Sequence, residues 1–260
     1  MGSLITSKLE ENVLTLTLNR PEKYNSFTEP MAEELQEALD DAAQNDKVRC
    51  VMLTGEGKAF CAGQDLPEVV DKGEDYELGV TVRGSYNPII KAIRKLEKPV
   101  VCAVNGTAAG AGANIAFACD IVLASVQAVF VQSFSKIGLI PDSGGTFMLP
   151  RLVGLQRANM MYMLDEKISP EQAVEMGLIY KAIEHNDLMK EAREVCTKLA
   201  SMPTKGFGLY KRAINKSLNN SLDEQLELEA DLQTEAGNTH DYHEGVQSFL
   251  EKRKPNFKGK

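Results

Sequence analysis

Tryptophan is absent from this chain, which removes one common aromatic platform for ligands. Positive charge is in deficit, 29 Lys and Arg against 37 Asp and Glu for a net charge of -8. That balance excludes sequence-independent binding to nucleic-acid phosphates, which needs clustered cations. No uninterrupted apolar run reaches about 18 residues, so no membrane span is expected. The opening MGSLITSKLEENV lacks a basic stretch followed by an apolar one, so no secretory signal is expected. No C-x-x-C pair occurs among the five cysteines, Cys50, Cys61, Cys102, Cys119 and Cys196. An odd number in apolar contexts reads as buried free thiols of a reducing, cytoplasmic compartment. Two familiar phosphate signatures are missing as well. There is no Walker A sequence, and Gly110-x-Gly112 meets Ile115 where the dinucleotide fingerprint requires a third glycine. Pro141-Asp142-Ser143-Gly144-Gly145 is not a nucleophile elbow, because no glycine stands two residues before the serine.

What remains is an ordinary globular composition over 260 residues, 43% hydrophobic and 25% charged. A chain of this length buries a sizeable core without disulfide or metal. The first two thirds alternate strands and helices. Val13 to Leu18, Val48 to Thr54 and Pro99 to Val104 read as strands, the last apolar on both faces as a strand between two layers should be. Met31, Leu35, Leu39 and Ala42 recur at helical spacing after Thr28 and Pro30. Ala111 to Cys119 reads as a small apolar helix, with short strands at 121–123 and 129–131. Ser169-Pro170-Glu171-Gln172 and Ser221-Leu222-Asp223-Glu224 are capping boxes. Helices are predicted near 187–200, 204–218, 221–236 and 239–252, with one further strand near 179–183. The expected architecture is an α/β body over 1–195 followed by a helical region over 196–260.

Two glycine-bearing segments follow strands: Gly57 to Asp65 and Gly106 to Asn114. Each reads either as a tight turn or as a place where a ligand meets the backbone. In the second case, N–H groups at a helix N-terminus converge on an oxygen and form an oxyanion hole. Asp142 has the same two readings, a turn aspartate or a carboxylate in an apolar pocket that carries protons. His240 and His243 stand one helical turn apart, but on a polar face they read as solvated rather than as metal ligands. The tail Lys252 to Lys260 holds five Lys or Arg and no acid, which suits either phosphate contact or a frayed, solubilising end.

Together these segments resemble the crotonase, or enoyl-CoA hydratase/isomerase, family. The matching strings are Leu18-Asn19-Arg20-Pro21, Phe60 to Leu66, Pro99 to Gly112, Cys119-Asp120-Ile121, Gly138 to Thr146 and Phe249 to Lys254. The resemblance implies a spiral of strand–strand–helix turns with a C-terminal trimerisation region, assembled as trimers or as a hexamer formed by two of them. It implies an acyl-CoA thioester as substrate and neither a metal nor an organic cofactor. The thioester oxygen would be held by the N–H groups of Ala62 and Ala111. Gly63, Gln64, Asp65 and Leu66 would border the acyl-CoA. Lys23, Tyr24, Phe249 and Lys252 would meet its nucleotide, the last two across a subunit boundary. Hydratases of the family carry two glutamates where this chain has Asn114 and Phe134, and glycine where it has Asp142. That pattern, with Tyr86-Asn87-Pro88 and Asp241 to Val246, resembles the phenylacetate-pathway isomerases of the 1,2-epoxyphenylacetyl-CoA type. Asp142 would then be the catalytic proton carrier of an isomerase. The alternatives are a hydratase, a dehalogenase-like enzyme with Asp142 as nucleophile, or a non-catalytic acyl-CoA-binding protein.

Overall fold

A computed structural model describes residues 2–73 and 75–260. It opens with a hairpin of β1 (Ile5–Glu10) and β2 (Val13–Leu18). The two-residue turn takes positive φ at both Glu11 and Asn12, as a type I′ turn requires. Helix α1 (Glu29–Gln44) buries Met31, Leu35, Leu39 and Ala42, the stripe expected from their spacing. Then come β3 (Cys50–Gly55), β4 (Ala59–Cys61), α2 (Leu66–Val70) and α3 (Leu78–Thr81). A π-helical turn over Val82–Tyr86 leads into α4 (Asn87–Lys95). The order continues with β5 (Val100–Val104), β6 (Thr107–Ala109), α5 (Ala111–Ala118), β7 (Ile121–Ser125) and β8 (Phe130–Val131). After them follow α6 (Gly145–Val153), α7 (Leu155–Met163), α8 (Pro170–Glu175), β9 (Lys181–Ile183) and α9 (Leu188–Ala200). The chain ends in α10 (Thr204–Ser217), α11 (Leu222–Gly237) and α12 (His240–Leu250).

The strands form two sheets. Six lie in the order β1-β2-β3-β5-β7-β9, parallel except for the opening hairpin, and three in the order β4-β6-β8. Strands β3, β5 and β7 are each followed directly by a strand of the smaller sheet, so the chain climbs as a spiral of strand–strand–helix turns. Alternation along β3 and β5 explains their apolar composition. Val51, Leu53, Val100, Cys102 and Val104 face the main core, while Cys50, Met52, Val101 and Ala103 face a second core under α9. Helix α9 runs unbroken through residues 195 and 196 and seals that second core with Leu188, Ala192, Cys196 and Ala200. The change from sheet-packed to helix-packed chain therefore falls after Ala200.

The basic tail is not frayed. The Arg49 guanidinium donates to the carbonyls of Met202 and Phe257, and the buried Asp241 carboxylate accepts from the N–H groups of Lys258 (2.7 Å) and Gly259 (2.6 Å). Arg253 pairs with Glu244 at 2.5 Å, which with the Asn256 N–H pulls that carboxyl down to about 2.

Candidate active site

The smaller sheet and the first turn of α5 frame the site. Gly110 caps that helix at φ +52°, a conformation other residues adopt at a cost. Gly112 lets the helix settle on β4, since a Cβ there would lie 2.6 Å from the backbone oxygen and side chain of Cys61. Burial pushes the Cys61 thiol up to about 12, so it stays protonated and inert. Ala111, at the first helical position, has no intrahelical acceptor for its N–H. A methyl added at Gly63 would stand 3.7 Å from the Ala111 nitrogen, which sets how closely the segment after β4 approaches it.

Ala62 is not the second donor. Its N–H is already given to the Tyr24 carbonyl at 3.0 Å. The Gly63 N–H faces the Cys61 sulfur at 3.4 Å, and that of Asp65 donates to Phe27 O at 2.9 Å. The Gln64 N–H makes no hydrogen bond among the described residues. The pairing with Phe27 decides this: it engages the atoms on either side of Gln64 and leaves its amide pointing away.

Asp65 also departs from expectation. Its carboxylate accepts from Arg20 at 2.6 Å and Ser26 at 3.3 Å, and caps α2 through the Glu68 N–H. Burial raises its pKa, but the Arg20, Glu68 and Ser26 donors outweigh that and hold it below the usual carboxylate range. These bonds tie it into the scaffold. Leu66 begins α2 and is half exposed. Lys23 and Tyr24 lie on the outer turn after Arg20, with Tyr24 58% exposed. Phe249, 83% exposed, lies in the last turn of α12, three residues before Lys252. Lys23 and Lys252 make no ion pairs among the described residues. The structure sets Gly63 against the Ala111 nitrogen and ties the Asp142 loop to the same helix through Asn114, and it leaves Phe249 and Lys252 exposed in the helical region.

Asp142 lies in the loop that enters α6. Its carboxylate accepts from Ser143 Oγ at 2.9 Å, and burial pushes its pKa above the ordinary carboxylate value despite that bond. Its carbonyl accepts from the Gly145 N–H at 2.8 Å and from Asn114 Nδ2 at 3.0 Å. Asn114 is three residues along α5 from Ala111, so the Asp142 loop stands about one helical turn from the Ala111 amide. Phe134, the other vacated glutamate position, is buried, and its ring would lie 3.6 Å from a Cβ at Gly110.

Sequence reasoning missed Tyr86. It is buried on the π-helical turn, edge-on to Phe27 at 6.1 Å. Burial first, then the Asp142 carboxylate, drives its phenol pKa far up, so it stays a neutral hydroxyl that can donate a hydrogen bond. The available signal was the string Tyr86-Asn87-Pro88, but a π-bulge leaves no mark in hydrophobic periodicity.

Residues 8–260 match the family described as Enoyl-CoA hydratase/isomerase. The chain belongs to that family. Its crotonase fold and action on acyl-CoA thioesters follow from that membership. The 1,2-epoxyphenylacetyl-CoA isomerase of Escherichia coli (strain K12) is 49% identical over 262 residues, covering 100% of both chains. The trans-2-decenoyl-[acyl-carrier-protein] isomerase of Streptococcus mutans is 38% identical, over 98% of each. The short-chain-enoyl-CoA hydratase of Clostridium acetobutylicum is 34% identical, over 98% of this chain and 97% of its own. Among solved structures, an enoyl-CoA hydratase from Polaromonas sp. JS666 superposes with a TM-score of 0.92 at 36% identity, covering 97% of this crotonase chain and 99% of its own.

Proposed function

We propose that this crotonase is an acyl-CoA isomerase in which Asp142 carries the proton. The observation that carries the reading is the replacement of acids around one carboxylate. Asn114 and Phe134 can neither give nor take a proton, Asp65 is paired with Arg20, and Asp142 stands beside the α5 N-terminus with its pKa raised by burial. The thioester oxygen would sit between the N–H groups of Gln64 and Ala111, Gln64 taking the place expected of Ala62. Asp142 removes a proton from the α-carbon, and the C–H electron pair flows into a dienolate whose charge rests on that oxygen. The carboxylic acid then returns the proton to the γ-carbon, moving the double bond from β,γ to α,β. Each donor of such a hole typically contributes roughly 10²–10³ in kcat. The same machinery suits a ring epoxide of phenylacetyl-CoA rearranging to an oxepin, the substrate type in the name of the E. coli relative.

For assembly, the reading is a trimer or a pair of trimers. Exposed Tyr210 and Ile214 of α10 line a groove of about 700 Å³ between α10 and α11, and Leu222 and Leu226 are exposed on α11. Among the described residues, no helix is long and apolar enough to cross a membrane.

The test is product analysis with a panel of β,γ-unsaturated, α,β-unsaturated and ring-epoxidised acyl-CoAs. Isomers of unchanged mass are expected. A product heavier by one water, formed at a comparable rate, would make the protein a hydratase.

A further inference from the structure

Behind Asp142 lies a line of buried amides. Asn114 Nδ2 donates to the Asp142 carbonyl at 3.0 Å, and Gln132 Nε2 donates to Asn114 Oδ1 at 3.1 Å. Asn114 is 1% exposed and Gln132 0%. Their orientations follow from the acceptor at the end of the line. A carbonyl only accepts, so the Asn114 NH₂ must face it, its oxygen must face Gln132, and the Gln132 NH₂ must face that oxygen. Gln132 Oε1 is thereby left buried with no partner among the described residues. A buried acceptor without a donor opposes folding, and an apolar side chain of similar size would avoid that cost. The amide pair is therefore a poor choice for stability alone.

We propose that Asn114 and Gln132 form a positioning relay for Asp142, with Gln132 locking the Asn114 amide and Asn114 fixing the main chain that bears the proton carrier. The neighbouring packing supports this. A Cβ at Gly145 would lie 2.4 Å from Asn114 Nδ2, so the first residue of α6 presses directly on the same amide. The Gly145 N–H is the other donor to the Asp142 carbonyl, at 2.8 Å. The peptide is thus held from α5 and α6 at once, and the Ser143 hydroxyl holds the carboxylate it projects. Released from the α5 side, the loop can drift, and a misplacement of about 1 Å can cost on the order of 10² in rate.

The proposal rests on Asp142 as proton carrier, so Asp142→Asn is assayed beside the relay variants with a β,γ-unsaturated acyl-CoA. Asn114→Ala should lower kcat by roughly tenfold to a hundredfold with KM within about threefold. Gln132→Met is the sharper variant. It removes the unpaired Gln132 Oε1 but takes the donor from the buried Asn114 Oδ1, one unpaired acceptor for another, so thermal stability should change little, yet kcat should still fall several-fold with the pH midpoint of the rate unmoved. The double variant should be no slower than Asn114→Ala alone, because both changes break one line. A stable Gln132→Met at full rate, a shifted pH midpoint with kcat unchanged, or additive losses in the double variant would overturn the relay. If Asp142→Asn keeps its rate, the isomerase reading itself falls; if it is inactive while the relay variants run at full rate, only the relay does.

Discussion

Asp142 has its pKa raised above the ordinary carboxylate value by burial, with Ser143 only partly offsetting this. As the base it must be ionised, so kcat is expected to fall on acidification through a midpoint above the usual aspartate value of about 3.9. A rate profile flat down to pH 4 would contradict it. The same shift has a stability consequence. The folded state binds this proton more tightly than the unfolded state, so the ionised carboxylate costs stability above the folded pKa, and the cost vanishes below the unfolded value. Asp142→Asn, which keeps an acceptor for Ser143, should therefore raise the melting temperature at neutral pH and give no gain in acid. The candidate site was largely legible at this scale: Asp142, Ala111 and the vacated acids at 114 and 134 were all readable. The second N–H proposed for the hole was not. Ala62 and Gln64 sit in the same string, and only the pairing with Phe27 and Tyr24 shows which N–H is free.

Among the elements, those that pack by period were legible and those set by partners were not. Helix α1 and the capping boxes at Ser169 and Ser221 lie where spacing put them, and both boxes form their reciprocal bonds. Strand β1 was missed because it is an edge strand with one buried residue in six, and a polar run carries no alternation. That the C-terminal tail is anchored was not legible, because one of its anchors, Arg49, is distant in sequence and the other, Asp241, lies on a separate helix. That anchoring is testable. Deleting residues 257–260 strips the Asp241 carboxylate of two backbone donors and should cost about 1–3 kcal/mol, read as a lower denaturant midpoint. An unchanged midpoint would mean the tail only rests on the surface.

In the whole molecule, charge and assembly meet. A chain of net charge -8 must attract the phosphates of CoA locally. On the proposed reading Lys252 would do so with the exposed Phe249, a neighbouring copy bringing both to the Lys23–Tyr24 turn. Lys252→Ala is then expected to raise KM by roughly tenfold to a hundredfold at unchanged kcat, with the effect shrinking as salt rises. A loss in kcat alone would place this lysine elsewhere. Light scattering should show trimers or hexamers, and a monomer at micromolar concentration would contradict the assembly. The central claim is that one carboxylate moves the proton. Its most direct test is the turnover of a β,γ-unsaturated acyl-CoA by Asp142→Asn, with substrate-analogue affinity measured by calorimetry on the same preparation. The account predicts a rate loss of about 10²–10⁴ with affinity essentially retained. Turnover within a factor of about two of the parent, with a folded and binding-competent protein, would contradict it.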